Sequence, residues 1–108
     1  MNGVTLVHDE HGQLEIRIDP TSAEMLRLLG PIAWVAFVTL ALAGHDDGGV
    51  WVNRVASRDL AERLGIGRDR AATALIVLRR HGLIIEQRDV GRGARFTDAY
   101  CELRVTIA

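Results

Sequence analysis

The chain has no lysine, one cysteine, two prolines and few aromatic residues among its 108 positions. A single cysteine, Cys101, excludes an intramolecular disulfide framework and agrees with a reducing cytosol. The longest stretch without a charge, Leu28 to Ala43, is 16 residues. That is short of the ~20 residues a membrane-crossing helix requires, and Gly30-Pro31 interrupts it near its start. The first residues, MNGVTLVHDEHGQ, lack a basic segment followed by an apolar one, so no secretory signal is expected. Also missing are an HExxH pair, a serine or cysteine with a locally paired histidine, and a carboxylate pair in an obvious pocket. No catalytic residue and no cofactor are therefore expected. Four scattered histidines with one cysteine do not make a metal site. His8 and His11 lack further ligands nearby, and Cys101 stands as a lone thiol whose alternative reading is redox chemistry. Gly91-Arg92-Gly93 lacks the lysine and following helix that a phosphate-cradling loop needs.

What the chain has is segregated charge. The formal net charge is −1. Arg54 to Arg95 nevertheless holds ten arginines against five acids, a net +5, while the remainder holds three arginines against nine acids, a net −6. A basic module on an acidic body is the footprint of a polyanion partner on one face. Length and the 48% hydrophobic content fit one globular domain over 1–108 with a real core.

The strongest local pattern is SRDLAERLGIGRDRAATALIVLRRHGLII, Ser57 to Ile85. Ser57 is a candidate N-cap, and Leu60, Ala61 and Leu64 recur at helical spacing. Gly65 suits a helix end in the left-handed region, Ile66 fills the gap, and Gly67 opens a second helix. Ala71, Ala74, Leu75 and Leu78 form that helix's inner face, and His81-Gly82 stops it. Leu83, Ile84 and Ile85 are strand-like. Two helices joined by a short glycine-containing turn match a helix-turn-helix unit. Over Val50 to Phe96 this pattern closely resembles the winged helix-turn-helix domain of bacterial transcription regulators of the MarR and GntR types.

Around this unit the sequence predicts further elements. Val4–Val7 and the alternating Gln13–Asp19 form a hairpin with DEHG as its turn. Asp19-Pro20-Thr21-Ser22 starts a helix, and Pro31 starts a second one running to Ala43. That helix is apolar on all sides, so it must be covered on all sides. The helix-turn-helix core covers one side, leaving the N-terminal segment or a second subunit for the other, which leads to an expected homodimer. Gly44 to Gly49 reads as a turn-rich loop and Val50–Asn53 as a short strand. Trp34 and Trp51 read as core or interface aromatics. Leu83–Arg88 and Ala94–Thr97 flank a glycine-bearing loop, a wing over 88–95. Tyr100 to Ile107 alternates cleanly and reads as one strand, which could add to the N-terminal hairpin within one chain or across a dimer. Many MarR-type proteins end instead in a long dimerisation helix.

The expected architecture is α+β: a winged helix-turn-helix with an extra N-terminal β-hairpin (1–19), an apolar helical segment (20–44), the helix-turn-helix and wing (50–97) and a C-terminal strand (100–107). The resemblance implies a small, cytoplasmic, nucleoid-associated regulator binding double-stranded DNA sequence-specifically. Its recognition helix, 68–81, would enter the major groove N-terminal end first. Arg68, Asp69, Arg70 and Thr73 are then the base-contacting candidates, because arginine bridges guanine O6 and N7, aspartate accepts from cytosine and the threonine methyl meets thymine. Ser57 and Arg58 at a helix start, with Arg88, Arg92 and Arg95 on the wing, are the backbone-contacting candidates. Arg79, Arg80 and His81, in a last helical turn that favours positive charge, read as structural. Ile76 and Val77 are apolar where many reading helices stay polar, so packing on the hairpin or a partner is expected of them. That feature, with the apolar helix, supports the alternative of a winged-helix protein-interaction module in a replication, partition or chromosome-organising assembly.

Overall fold

Alternation in the first twenty residues produces a regular hairpin. β1 (Val4–His8) and β2 (Leu14–Ile18) pair antiparallel, from Val4↔Ile18 to His8↔Leu14. The Asp9 carboxylate closes the turn by accepting from the His11 and Gln13 backbone N–H groups, both at 2.8 Å. The computed structural model describes residues 3–53, 57–87 and 100–108, apart from the side chains of Ser57, Arg58, Glu86, Gln87 and Tyr100. Within them lie four helices and seven strands, a mixed α+β architecture with two sheets.

Asp19 caps α1 (Pro20–Leu29) by accepting from the Ser22 N–H at 2.7 Å, and Pro20 occupies the first turn, where its missing N–H costs nothing. The next helix, α2 (Pro31–Leu42), starts at Pro31 after Gly30 at φ +98°. Its Ala33, Ala36, Phe37, Leu40 and Ala41 are buried, and it packs against α1, α3 (Ser57–Leu64), α4 (Arg68–Arg80) and β4 (Val50–Asn53). The all-round apolarity is thus largely answered within the chain. What stays outside is a stripe containing Val35, 46% exposed, and Leu42, 57% exposed.

The C-terminal end of α2 is tied to β4 by side chains. Trp51 Nε1 donates to the Ala41 carbonyl at 2.9 Å, and Asn53 Nδ2 donates to the Leu40 carbonyl at 2.7 Å. Both acceptors belong to the last turn, whose carbonyls have no partner within the helix. Trp51 is therefore a core residue, and the His8 ring lies 6.0 Å from it, centroid to centroid. The stretch before β4 is not the loop expected from its composition. His45–Asp47 forms a strand, β3, paired with β4 through a two-residue turn at Gly48 and Gly49, both at positive φ.

The largest departure concerns Tyr100 to Ile107, which is two strands rather than one. β6 (Tyr100–Leu103) lies between β4 and β5 (Ile84–Gln87) in the sheet β3-β4-β6-β5. Only β7 (Thr106–Ile107) joins the hairpin, parallel to β1, giving the sheet β2-β1-β7. The β5 register runs one residue further, with the Arg104 N–H donating to the Leu83 carbonyl, and the chain then turns where the Val105 N–H folds back onto the Leu103 carbonyl. Alternation survives the break, with Cys101 and Leu103 buried and Val105 and Ile107 packed at the core's edge. One core joins both sheets and the helices, running from Val4, Leu6 and Leu26 through Phe37 and Leu60 to Leu78, Ile84 and Leu103.

Ser22, in the first turn of α1, is fully buried, and its hydroxyl has no hydrogen-bond partner among the described residues. Gly3 makes room for it: a β-carbon there would overlap the hydroxyl. An unsatisfied buried hydroxyl costs about 1–3 kcal/mol. Ser22→Ala is therefore expected to raise stability by roughly 1 kcal/mol, read as a higher urea midpoint at unchanged slope; a lower midpoint would show the hydroxyl to be satisfied.

Candidate nucleic-acid interface

The α3–α4 unit is built by backbone signals that the sequence carries locally. Gly65, at φ +66°, ends α3, with its N–H on the Glu62 carbonyl and the Ile66 N–H on the Ala61 carbonyl at 3.0 Å. This six-to-one bond reverses the chain and seats Ile66 against the core. The same motif ends α4: Gly82, at φ +71°, bonds Arg79, and the Leu83 N–H bonds the Leu78 carbonyl at 3.0 Å. Leu83 and Leu78 are both buried, the apolar contact that accompanies this motif. α3 begins at Ser57, the residue expected to cap it.

α4 buries Ala71, Ala74, Leu75 and Leu78 and leaves Arg68, Asp69, Arg70 and Thr73 exposed, as their spacing predicts. Among the described residues, neither Arg68 nor Arg70 is held in an ion pair by Asp69 or Glu62. The Thr73 hydroxyl donates to the Asp69 carbonyl at 2.8 Å. The four candidates do not share one line. Counted from the buried stripe at 3.6 residues per turn, the outermost line is Asp69, Thr73, Ile76 and Arg80. Arg68 stands on one shoulder of this line and Arg70 on the other, beside a cleft of about 260 Å³ between α4 and the α1–α2 junction. Leu29, Ile32 and Ala33 line its far side, and Asp69, Arg70, Thr73, Ala74 and Val77 its near side.

Two sequence-based expectations change here. Of the two residues expected to pack on the hairpin or a partner, Val77 lines this helical cleft, while Ile76 is 38% exposed in the middle of the outward line. Arg80, read from its place in the last turn as structural, extends the outward line by one more turn. The spacing from Asp69 through Thr73 and Ile76 to Arg80, i, i+4, i+7 and i+11, was the available signal.

No known family, no curated protein and no solved structure matches this chain.

The other candidates divide. Arg88, Arg92 and Arg95 lie outside the described residues, as does the return strand expected at Ala94–Thr97; the backbone of Ser57 and Arg58 is placed at the start of α3. The strand that β5 pairs with is β6, in register from Ile84↔Leu103 to Gln87↔Tyr100. Gln87 and Tyr100, the described residues that bracket the three arginines, are therefore paired across adjacent strands. Among the described residues, no group of three or more histidine, cysteine or acidic side chains is placed to hold a metal, and no helix is long and apolar enough to cross a membrane.

Proposed function

We propose that the chain is a winged helix-turn-helix protein that binds double-stranded DNA as a homodimer, α4 in the major groove and the arginines of 88–95 on the backbone or minor groove. The observation that carries this reading is the outward surface of α4: Arg68 and Arg70, exposed and without an ion pair among the described residues, on a helix set by two glycine-terminated turns, within a segment of net +5 in an otherwise acidic chain. Arg68 and Arg70, on the two shoulders, are the residues for guanine edges, and Asp69 between them accepts from cytosine. With its hydroxyl engaged in the helix, Thr73 offers its methyl to thymine. Arg80, two turns beyond Thr73, together with Ser57 and Arg58, meets phosphates.

Binding of a pool of genomic duplex fragments tests this. At low salt a subset of fragments is expected to be retained, and their affinity should fall steeply as salt rises. With about six phosphate contacts over a dimer, the loss between roughly 50 and 200 mM is about a thousandfold. Failure to retain any fragment at low salt would sink the reading. The exposed Ile76 amid the outward line of α4, with the exposed Val35 and Leu42 on α2, favours a second one, a winged-helix module that docks on a protein. Retention of a partner protein with no affinity for duplex above background would select it.

A further inference from the structure

The edge of β2 carries an unusual symmetry of chemistry. Its sequence, Leu14-Glu15-Ile16-Arg17-Ile18, reads alike in both directions about Ile16: an aliphatic residue at each end and opposite charges on either side of the centre. The hydrogen-bonding phase of the strand is fixed by its ends. The Asp19 N–H bonds the Gly3 carbonyl and the Asp9 N–H bonds the Gln13 carbonyl, so in this register the odd-numbered residues of β2 face β1. In agreement, the even-numbered Leu6 of β1 turns its carbonyl the other way, accepting from Ala108 in the strand beyond. The N–H and C=O groups of Leu14, Ile16 and Ile18 therefore point off the free edge, and nothing among the described residues covers them.

We infer that β2 pairs antiparallel with β2 of a second copy of this chain, about a two-fold axis through Ile16. This deepens the dimer proposed above and does not depend on DNA binding. In that register Ile16 faces the partner's Ile16, and Leu14 faces the partner's Ile18. These are the positions whose backbone groups point outward, giving about six inter-chain hydrogen bonds. Glu15 then stands opposite the partner's Arg17, and Arg17 opposite the partner's Glu15, at the closer, non-hydrogen-bonded positions. Within one chain Glu15 and Arg17 already lie 3.3 Å apart on the exposed face, so the dimer gathers four alternating charges. On the opposite face Leu14, Ile16 and Ile18 are only half-buried, and pairing extends their apolar row across the axis.

Nothing in β2 blocks such an edge. It contains no proline, and its five pairs with β1 run without a bulge. The β3 edge of the other sheet is different: it exposes Asp46 and Asp47 next to each other, and self-pairing there would bring like charges together.

Sedimentation or light scattering across a concentration series tests the assignment, with two charge reversals. Glu15→Arg or Arg17→Glu alone places like charges across the axis twice and is expected to raise the dimer dissociation constant about tenfold or more. An equimolar mixture of the two variants restores opposite charges at every position, so heterodimers with near-parental affinity are expected. Ile16→Pro removes an outward N–H and no bond to β1, and should leave a folded monomer with a cooperative melt. A dimer that neither reversal weakens would overturn the β2 assignment while leaving a dimeric DNA-binding protein standing. So would two reversals that weaken self-association but do not complement each other. A parent chain monomeric at high concentration would overturn the dimer itself.

Discussion

With alanine at both Arg68 and Arg70, the protein is expected to lose most of its preference for its selected duplex over a random one. Each arginine that bridges a guanine contributes about 1–3 kcal/mol of discrimination, roughly fivefold to over a hundredfold per half-site. In the proposed two-fold dimer each contact is made twice, so the double variant loses most of the preference and keeps only what Asp69 and Thr73 contribute. Stability should move by no more than about 0.5 kcal/mol, because both side chains are exposed and neither holds an intramolecular ion pair among the described residues. Arg80→Ala supplies the contrast: a phosphate contact carries no sequence information, so affinity should fall for all sequences alike, with a shallower salt dependence. Competition titrations between the selected and a scrambled duplex read both effects. A preference ratio untouched in the double variant would remove α4 from the readout.

Phe37→Ala has the largest expected effect on folding. Phe37 is fully buried at the centre of α2, a helix that packs against α1, α3, α4 and β4. Removing a buried phenyl ring costs about 3–5 kcal/mol, because the transfer free energy is lost and the cavity left behind only partly collapses. For a chain of this size that lowers the thermal midpoint by roughly 12–30 °C. It takes much of the 5–15 kcal/mol or so that holds an ordinary domain folded. Val35→Ala on the outer stripe of the same helix should cost little by comparison, since Val35 is 46% exposed. Parallel urea titrations of the two variants measure the difference, and equal midpoints would mean that α2 is not the internal strut that its packing indicates.

Local signals made much of this architecture legible. The Asp9 turn, the Asp19 cap, the proline starts of α1 and α2, and the glycines that end α3 and α4 each act within a few residues of themselves. The exposed faces of Arg68, Asp69, Arg70 and Thr73 followed from the same short-range periodicity. Pairing partners were another matter. Alternation from Tyr100 to Ile107 says which side chains turn inward, but not which sheet receives them, and the chain changes sheets at Arg104 without disturbing that alternation. β3 escaped because His45-Asp46-Asp47 offers no apolar alternation; Gly48-Gly49 was its only mark. The cover over α2 is likewise long-range, since β4, some ten residues on, supplies the two side chains that hold its last turn. Arg80 carries no separate binding signal in the sequence, because helix-dipole complementarity already accounts for a cation in a last turn.

The parallel ladder between β1 and β7 joins Thr5 to Thr106 and Leu6 to Ile107. Its two halves are separated by nearly the whole polypeptide, so closing it draws on the largest loop entropy in the molecule and returns only a two-residue strand. Such a pairing is expected to form late in folding, after the sequence-local β1–β2 hairpin and the α3–α4 unit. The sheet whose β2 edge is open to a second copy is thus also the one finished last, so an immature chain presents a bare strand on both of its flanks.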